Sequence, residues 1–137
     1  MKKFNLRVYG VCVNERNELL VSNEEYKELS FTKFPGGGLE WGEGIRECLE
    51  REFREEFDLE IEVGELFYLT DFFQQSAFSE NDQVISVYYR CSLNGDFNHE
   101  NRKGDKNENL QWITMSDLHE DLFMFPIDKI VANLLKK

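Results

Sequence analysis

Apolar positions along the chain recur with two different spacings, and these divide it into strands and helices. Leu6 to Val13 is rich in β-branched and aromatic residues, Asn14 to Asn17 supplies turn chemistry, and Leu19, Leu20 and Val21 form a second apolar run. This pattern predicts a β-hairpin. Tyr26 to Phe34 alternates weakly and stops at Pro35 and the three glycines Gly36 to Gly38, where regular structure is expected to give way to a loop. Ile45 to Phe57 carries the clearest helical spacing. Ile61 to Phe73 and Gln83 to Ser92 read as two more strands, separated by the polar segment Gln74 to Asp82. Asn94 to Asn109 is polar and nearly free of large apolar side chains, so it is expected to be a long loop. Leu110 to Met115 predicts a last strand, Asp117 to Phe125 a short helical turn, and Ile127 to Leu135 a terminal helix. Strands interrupted by one central helix and closed by another predict an α+β fold, a mixed β-sheet with helices packed on its faces as an α/β/α sandwich. A single domain spanning 1–137 is expected.

The central helix breaks the pattern that its own apolar face sets. With Ile45 as zero and about 100° per residue, Cys48, Leu49, Phe53 and Phe57 share one arc with Ile45, and Glu47, Glu50, Arg51 and Arg54 fall opposite. Glu52, Glu55 and Glu56 fall at about 340°, 280° and 20°, beside the apolar side. Three carboxylates at i, i+3 and i+4 repel one another, and they crowd the end of the helix where the dipole favours cations. A compensating positive charge is therefore expected. The wheel turns Arg51 and Arg54 away from them, and hard carboxylate oxygens suit Mg²⁺ or Mn²⁺ rather than softer metals.

Charge sharpens that expectation. The chain carries 16 basic and 27 acidic residues, a formal net charge of −11, which repels a polymeric nucleic acid. A small polyphosphate is anionic as well, so divalent cations would have to screen its contact with this protein. Cys12, Cys48 and Cys91 are odd in number and widely spaced, which predicts free thiols in a reducing compartment rather than a disulfide framework or a zinc site. No stretch approaches a membrane span, and the first residues lack the apolar run of a secretory signal, so no membrane partner and a cytoplasmic location are expected.

Gly37, Glu43, Arg51, Glu52, Phe53, Glu55, Glu56 and Leu59 fit the spacing G-x5-E-x7-R-E-U-x-E-E-x-G-U, where U is a bulky apolar residue. This run resembles the Nudix box, and the chain is similar to the Nudix hydrolases, with Asp58 standing where that family has its last glycine. The resemblance implies the Nudix fold and Mg²⁺-dependent hydrolysis of a phosphoanhydride bond in a nucleoside diphosphate linked to another group, with Mn²⁺ as a substitute metal. It implies Glu52, Glu55 and Glu56 as metal ligands, with the carbonyl of Gly36 added. Glu43 and Arg51 would hold the loop and orient the glutamates, and Gly37 and Gly38 would approach the substrate. The general base is left open between Glu55 and Glu56 of the box and the later acids Glu80, Asp82, Glu100, Asp105 and Glu108. A small nucleotide-like diphosphate is the implied partner, and a homodimer is compatible with the resemblance.

Trp41, in the loop between Gly38 and Gly42, is the aromatic best placed to stack on a base, whereas Tyr68, Phe72 and Phe73 are expected mainly in the core. His99 and His119 have no partners at metal-ligand spacing and are assigned to the surface. The sequence markers that separate subfamilies are absent: no proline stands at Phe73 or Gln74. Two other functions compete, a noncatalytic nucleotide-sensing module and an isomerase of isoprenoid diphosphates. The intact glutamates disfavour the first, and the lack of a suitable cysteine and histidine setting disfavours the second. Replacing the last glycine by Asp58 is expected to strain the end of the helix without removing a ligand.

Overall fold

A computed structural model describes residues 1–93, 101–104 and 107–137. Among these residues lie eight strands and two α-helices: β1 (Lys3–Val11), β2 (Glu18–Tyr26), β3 (Leu29–Lys33), β4 (Gly36–Gly38), α1 (Ile45–Phe57), β5 (Ile61–Leu69), β6 (Asp82–Leu93), β7 (Arg102–Lys103), β8 (Glu108–Thr114) and α2 (Pro126–Leu135). His99, Glu100 and Asp105 lie outside the described residues.

The strands divide between two four-stranded sheets, ordered β4-β1-β6-β5 and β3-β2-β8-β7. The first is mixed, because β1 runs parallel to β6, with Val8 opposite Val87, and antiparallel to β4. The second is antiparallel throughout.

Side-chain alternation explains why helices cover both faces. Val8 of β1 and Leu20 of β2 pack with Cys48, Leu49, Phe53 and Phe57 of α1. Their neighbours Tyr9, Val11, Leu19 and Val21 pack instead with Ile127, Val131 and Ala132 of α2. Successive residues of a strand point to opposite faces, so one apolar run serves two cores. That is the reason Leu19, Leu20 and Val21 are all buried.

Several local expectations are corrected. β1 and β2 do not form a hairpin. Asn14 does make the turn, its Oδ1 accepting from the Arg16 and Glu18 amides at 3.0 Å each. The two strands then touch only through the Val13–Leu19 bridge and the Leu20 amide bonded to the Cys12 carbonyl before entering separate sheets. The glycine run is an edge strand rather than a loop, paired with β1 through Tyr9–Gly36, Val8–Gly37 and Arg7–Gly38. The strand read to Phe73 ends at Leu69, leaving Phe72 and Phe73 exposed. Two short 3-10 turns, Met115–Asp117 and Glu120–Leu122, replace the single helical turn.

The cysteine expectation is also corrected. Cys12 and Cys91 are joined as a disulfide with their Cα atoms 5.0 Å apart, and Cys48 alone is free. The parallel register pairs Val11 with Arg90, so the next residues on each strand, 79 positions apart in sequence, are neighbours.

Candidate active site

α1 begins just after a tight turn. Glu47 reaches back so that its Oε1 accepts the Gly44 amide at 2.9 Å, satisfying one of the amides left free at a helix start. At the other end Asp58 takes φ 54° and ψ 45°, the left-handed conformation expected at the missing glycine. Its amide bonds to the Arg54 carbonyl, and the Leu59 amide bonds to the Phe53 carbonyl. Arg102 of β7 donates to the carbonyls of Phe57 at 2.8 Å and Asp58 at 3.2 Å, placing a cation at the negative end of the helix.

The strand β4 lies alongside α1, and its first position admits only glycine. Gly36 has φ 149°, and a Cβ there would lie 2.0 Å from the Val8 carbonyl oxygen. A Cβ on Gly37 would lie 2.4 Å from the carboxylate of Glu52, which is thereby pressed against the glycine backbone.

Arg51 ties these parts together. It donates to both oxygens of Glu43 at 2.8 Å, to Glu52 at 3.1 Å, to Glu55 at 3.0 Å and to the Gly38 carbonyl at 3.0 Å. The bidentate bond from Arg51 pulls the Glu43 carboxyl down to about 2. This corrects the wheel, which turned Arg51 away from the glutamates. A wheel places Cα atoms, and the long guanidinium reaches around the helix. Arg54 does point away, to Glu60 at 2.9 Å.

Glu56 is different. Its Oε2 is buried without a hydrogen-bond partner, as is Oε2 of Glu108 on β8. Burial first, and then the neighbouring Glu108 carboxyl, push Glu56 up to about 9. Buried carboxyl oxygens without donors are costly unless a cation faces them. Among the described residues no three acidic, histidine or cysteine side chains are gathered tightly enough to hold a metal as they stand. The donors nonetheless fit a hard divalent ion in kind, being oxygens only, with one buried and unpartnered.

Beside this cluster a cavity of about 510 Å³ opens over the α2 side of the fold. Tyr9, Phe31, Phe78 and Phe125 form aromatic wall, and Lys33, Glu24 and Asp128 supply charge. The cavity and the glutamates are electrostatic neighbours, because Lys33 lowers the pKa of both Glu24 and Glu56, and Glu108 raises both. The Lys33 ammonium donates to the Phe34 carbonyl at 3.2 Å and stands 3.9 Å from Glu24.

Sequence reasoning missed this cavity. One signal was present: in β3 both Phe31 and Lys33 face inward, so a lysine occupies a strand position of the buried set. Asp128 gave less warning, since an acid in the first turn of a helix is ordinary. Trp41 is fully exposed and does not line the cavity. Gly36, Gly37 and Gly38 lie on β4 against α1 rather than in the cavity wall. Among the described later acids, Glu108 alone meets the glutamate helix; Glu80 is exposed and Asp82 starts β6. Tyr68 joins the α2-side core as expected, and His119 is exposed, paired with Asp121.

A family model for the NUDIX domain matches residues 3–134. The chain belongs to the Nudix family. Among solved structures, the E. coli ORF135 protein superposes with a TM-score of 0.77 at 18% identity, covering 98% of this chain and 89% of that one. The MutT protein from Methanosarcina mazei Go1 gives 0.75 at 17% identity over 97% and 93% of the two chains. A MutT protein of the Nudix hydrolase family from methicillin-resistant Staphylococcus aureus 252 gives 0.67 at 25% identity over 99% and 98%. The chain is thus a Nudix hydrolase, whose family reaction is cleavage of a pyrophosphate bond in small nucleotide-like substrates, generally with divalent metal. No helix among the described residues is long and apolar enough to cross a membrane.

Proposed function

We infer that this Nudix hydrolase cleaves a phosphoanhydride bond of a nucleotide, a nucleoside triphosphate or a nucleoside diphosphate linked to another group, with its base in the aromatic-walled cavity. The observation that carries this reading is the adjacency of cavity and glutamates, which share the field of Lys33. A planar base suits walls of phenylalanine and tyrosine. Its phosphates would then extend toward α1.

There Glu52, Glu55 and Glu56, with the Gly36 carbonyl, would hold Mg²⁺ or Mn²⁺. Such an ion neutralises phosphate charge and lowers the pKa of bound water. Arg51 and Glu43 position rather than react, since their hydrogen bonds fix Glu52 and Glu55 against β4. Glu56 and Glu108, each with one buried oxygen, Oε2, lacking a hydrogen-bond partner, are the groups best placed to hold or pass a proton.

The test is a panel of nucleoside triphosphates, dinucleotides, ADP-ribose and nucleotide sugars assayed with Mg²⁺, with products identified. Turnover of one class is expected, and Glu56→Gln should lower it by orders of magnitude while the melting curve stays cooperative. Full activity in EDTA or in that variant would refute the assignment. Tight nucleotide binding without any turnover would favour a sensing module instead.

A further inference from the structure

The Cys12–Cys91 disulfide is buried in the core beneath α1. Cys12 is 1% exposed and Cys91 8%, and both belong to the cluster that contains Cys48, Leu49, Phe53 and Phe57 of the helix. The space beside the bond is filled. A Cβ placed on Gly10 would lie 2.8 Å from the Cys91 sulfur and 3.3 Å from the Phe53 ring, so sulfur and ring both reach the one gap that a missing side chain leaves.

Two thiol sulfurs cannot sit as close together as two bonded ones. Cleaving the bond therefore forces at least one sulfur outward in a close-packed core, and the Phe53 ring stands beside Cys91. Phe53 follows Glu52, whose carboxylate is pressed against Gly37 and accepts from Arg51 at 3.1 Å. A displaced Phe53 thus disturbs the carboxylates of α1 through a single step of the helix. Cys48 is the free thiol of the same core, and burial pushes it up to about 12, so it stays protonated and does not compete for either sulfur.

We propose that Cys12 and Cys91 form a reversible thiol–disulfide site that controls the glutamate helix, the crosslinked chain being the competent form and the dithiol chain the impaired one. Its effect on the metal rests on the reading that places the ion on α1; the exchange itself does not. The co-reactant is a small dithiol. One of its thiolates attacks the sulfur of Cys91, the less buried of the two. The S–S bond breaks, and Cys12 leaves as a thiolate that takes up a proton. The second thiol of the reagent then displaces Cys91 from the mixed disulfide, so the reagent departs as a cyclic disulfide and two electrons have passed to the protein. A small disulfide such as oxidised glutathione runs the exchange in reverse. Both directions need a transient opening of the core.

The experiment equilibrates the full chain with dithiothreitol or with oxidised glutathione, unfolds it in the presence of iodoacetamide and determines its intact mass. Three carbamidomethyl groups are expected after dithiothreitol and one, on Cys48, after oxidised glutathione, interchangeably. The dithiol form should melt about 10 °C or more below the crosslinked form, because it lacks a bond that closes a loop across 79 positions of sequence. Its rise in Tm with Mn²⁺ should shrink by about half or more, and kcat/KM for the nucleoside triphosphates that the chain hydrolyses should fall about 10-fold. The Cys12→Ala/Cys91→Ala double variant should respond to neither reagent. Three groups taken up after oxidised glutathione, or one after both reagents, overturn the proposal. Equal Mn²⁺ shifts and equal kcat/KM in the two forms also overturn it, because a crosslink that only stabilises the fold would leave the site unchanged. Turnover of no nucleotide in either form would overturn the nucleotide reading, and the mass and melting measurements would still decide this one.

Discussion

At Asp58 a single residue type decides how the glutamate-bearing helix α1 ends. The chain must turn left-handed there, with φ 54° and ψ 45°, so that the Leu59 amide can return to the Phe53 carbonyl. An L side chain pays a steric cost of roughly 1–2 kcal/mol for that conformation, less for aspartate than for most residues. The aspartate also adds negative charge at the negative end of the helix dipole. Arg102 offsets part of this by donating to the backbone carbonyls of Phe57 and Asp58, bonds that do not depend on the side chain at 58. Asp58→Gly should therefore raise stability slightly, by about 0.5–1 kcal/mol after the extra freedom of glycine in the unfolded chain is subtracted. Chemical denaturation of the two proteins measures this. Turnover should barely change, and its loss would make Asp58 part of the site.

On the scale of elements, the proposed metal site rests on the pair β4 and α1, and Arg51 is the bolt between them. Its guanidinium joins Glu43 before the helix, Glu52 and Glu55 on it, and the Gly38 carbonyl across from it. A lysine cannot reproduce this planar fork. Arg51→Lys should lower kcat/KM by about 10–100-fold, the usual effect of losing an outer-shell partner. Glu43→Gln should act in the same direction, since it removes the charge that Arg51 binds. Steady-state kinetics of both variants check this, and wild-type kinetics in Arg51→Lys would show that the fork is dispensable. The contrast between this unit and the cavity explains what the sequence could convey. α1 was legible end to end because its apolar period is strong and its carboxylates violate that period at fixed spacing. β4 was not, because three glycines have no side-chain pattern, and the contacts that make it a strand come from β1, far away in sequence. Arg51 was misplaced because the wheel records where a side chain starts and not how far it reaches. The cavity was illegible for a third reason. Lys33 of β3 and Asp128 of α2 line the same cavity from distant stretches of sequence, and neither local window contains both.

For the whole molecule, the arrangement of charge would link folding to binding of a divalent metal. The chain bears a formal net charge of −11, and folding brings Glu56 and Glu108 together with unpartnered buried oxygens. The unfolded chain has no such pair, so withdrawing these carboxyls from water opposes folding. Burial and Glu108 raise Glu56 to about 9, which means that the metal-free protein retains a proton there at neutral pH rather than two facing charges. A divalent ion on the glutamates would displace that proton and bind the native state in preference to the unfolded one. Stabilisation then follows RT ln(1 + [L]/Kd), about 2.7 kcal/mol at a hundredfold excess over Kd. For a domain of this length that corresponds to a rise in Tm of roughly 5–15 °C. Thermal melts across a Mg²⁺ or Mn²⁺ titration should show it, and the shift should shrink in Glu56→Gln, where the ligand charge is gone but the side-chain shape is kept. Glu80→Gln, an exposed acid away from the cluster, should leave the full shift. If the melting temperature stays fixed through saturating Mg²⁺ and Mn²⁺, the buried carboxyls are held by something other than a cation, and the metal ligands assigned to α1 are wrong.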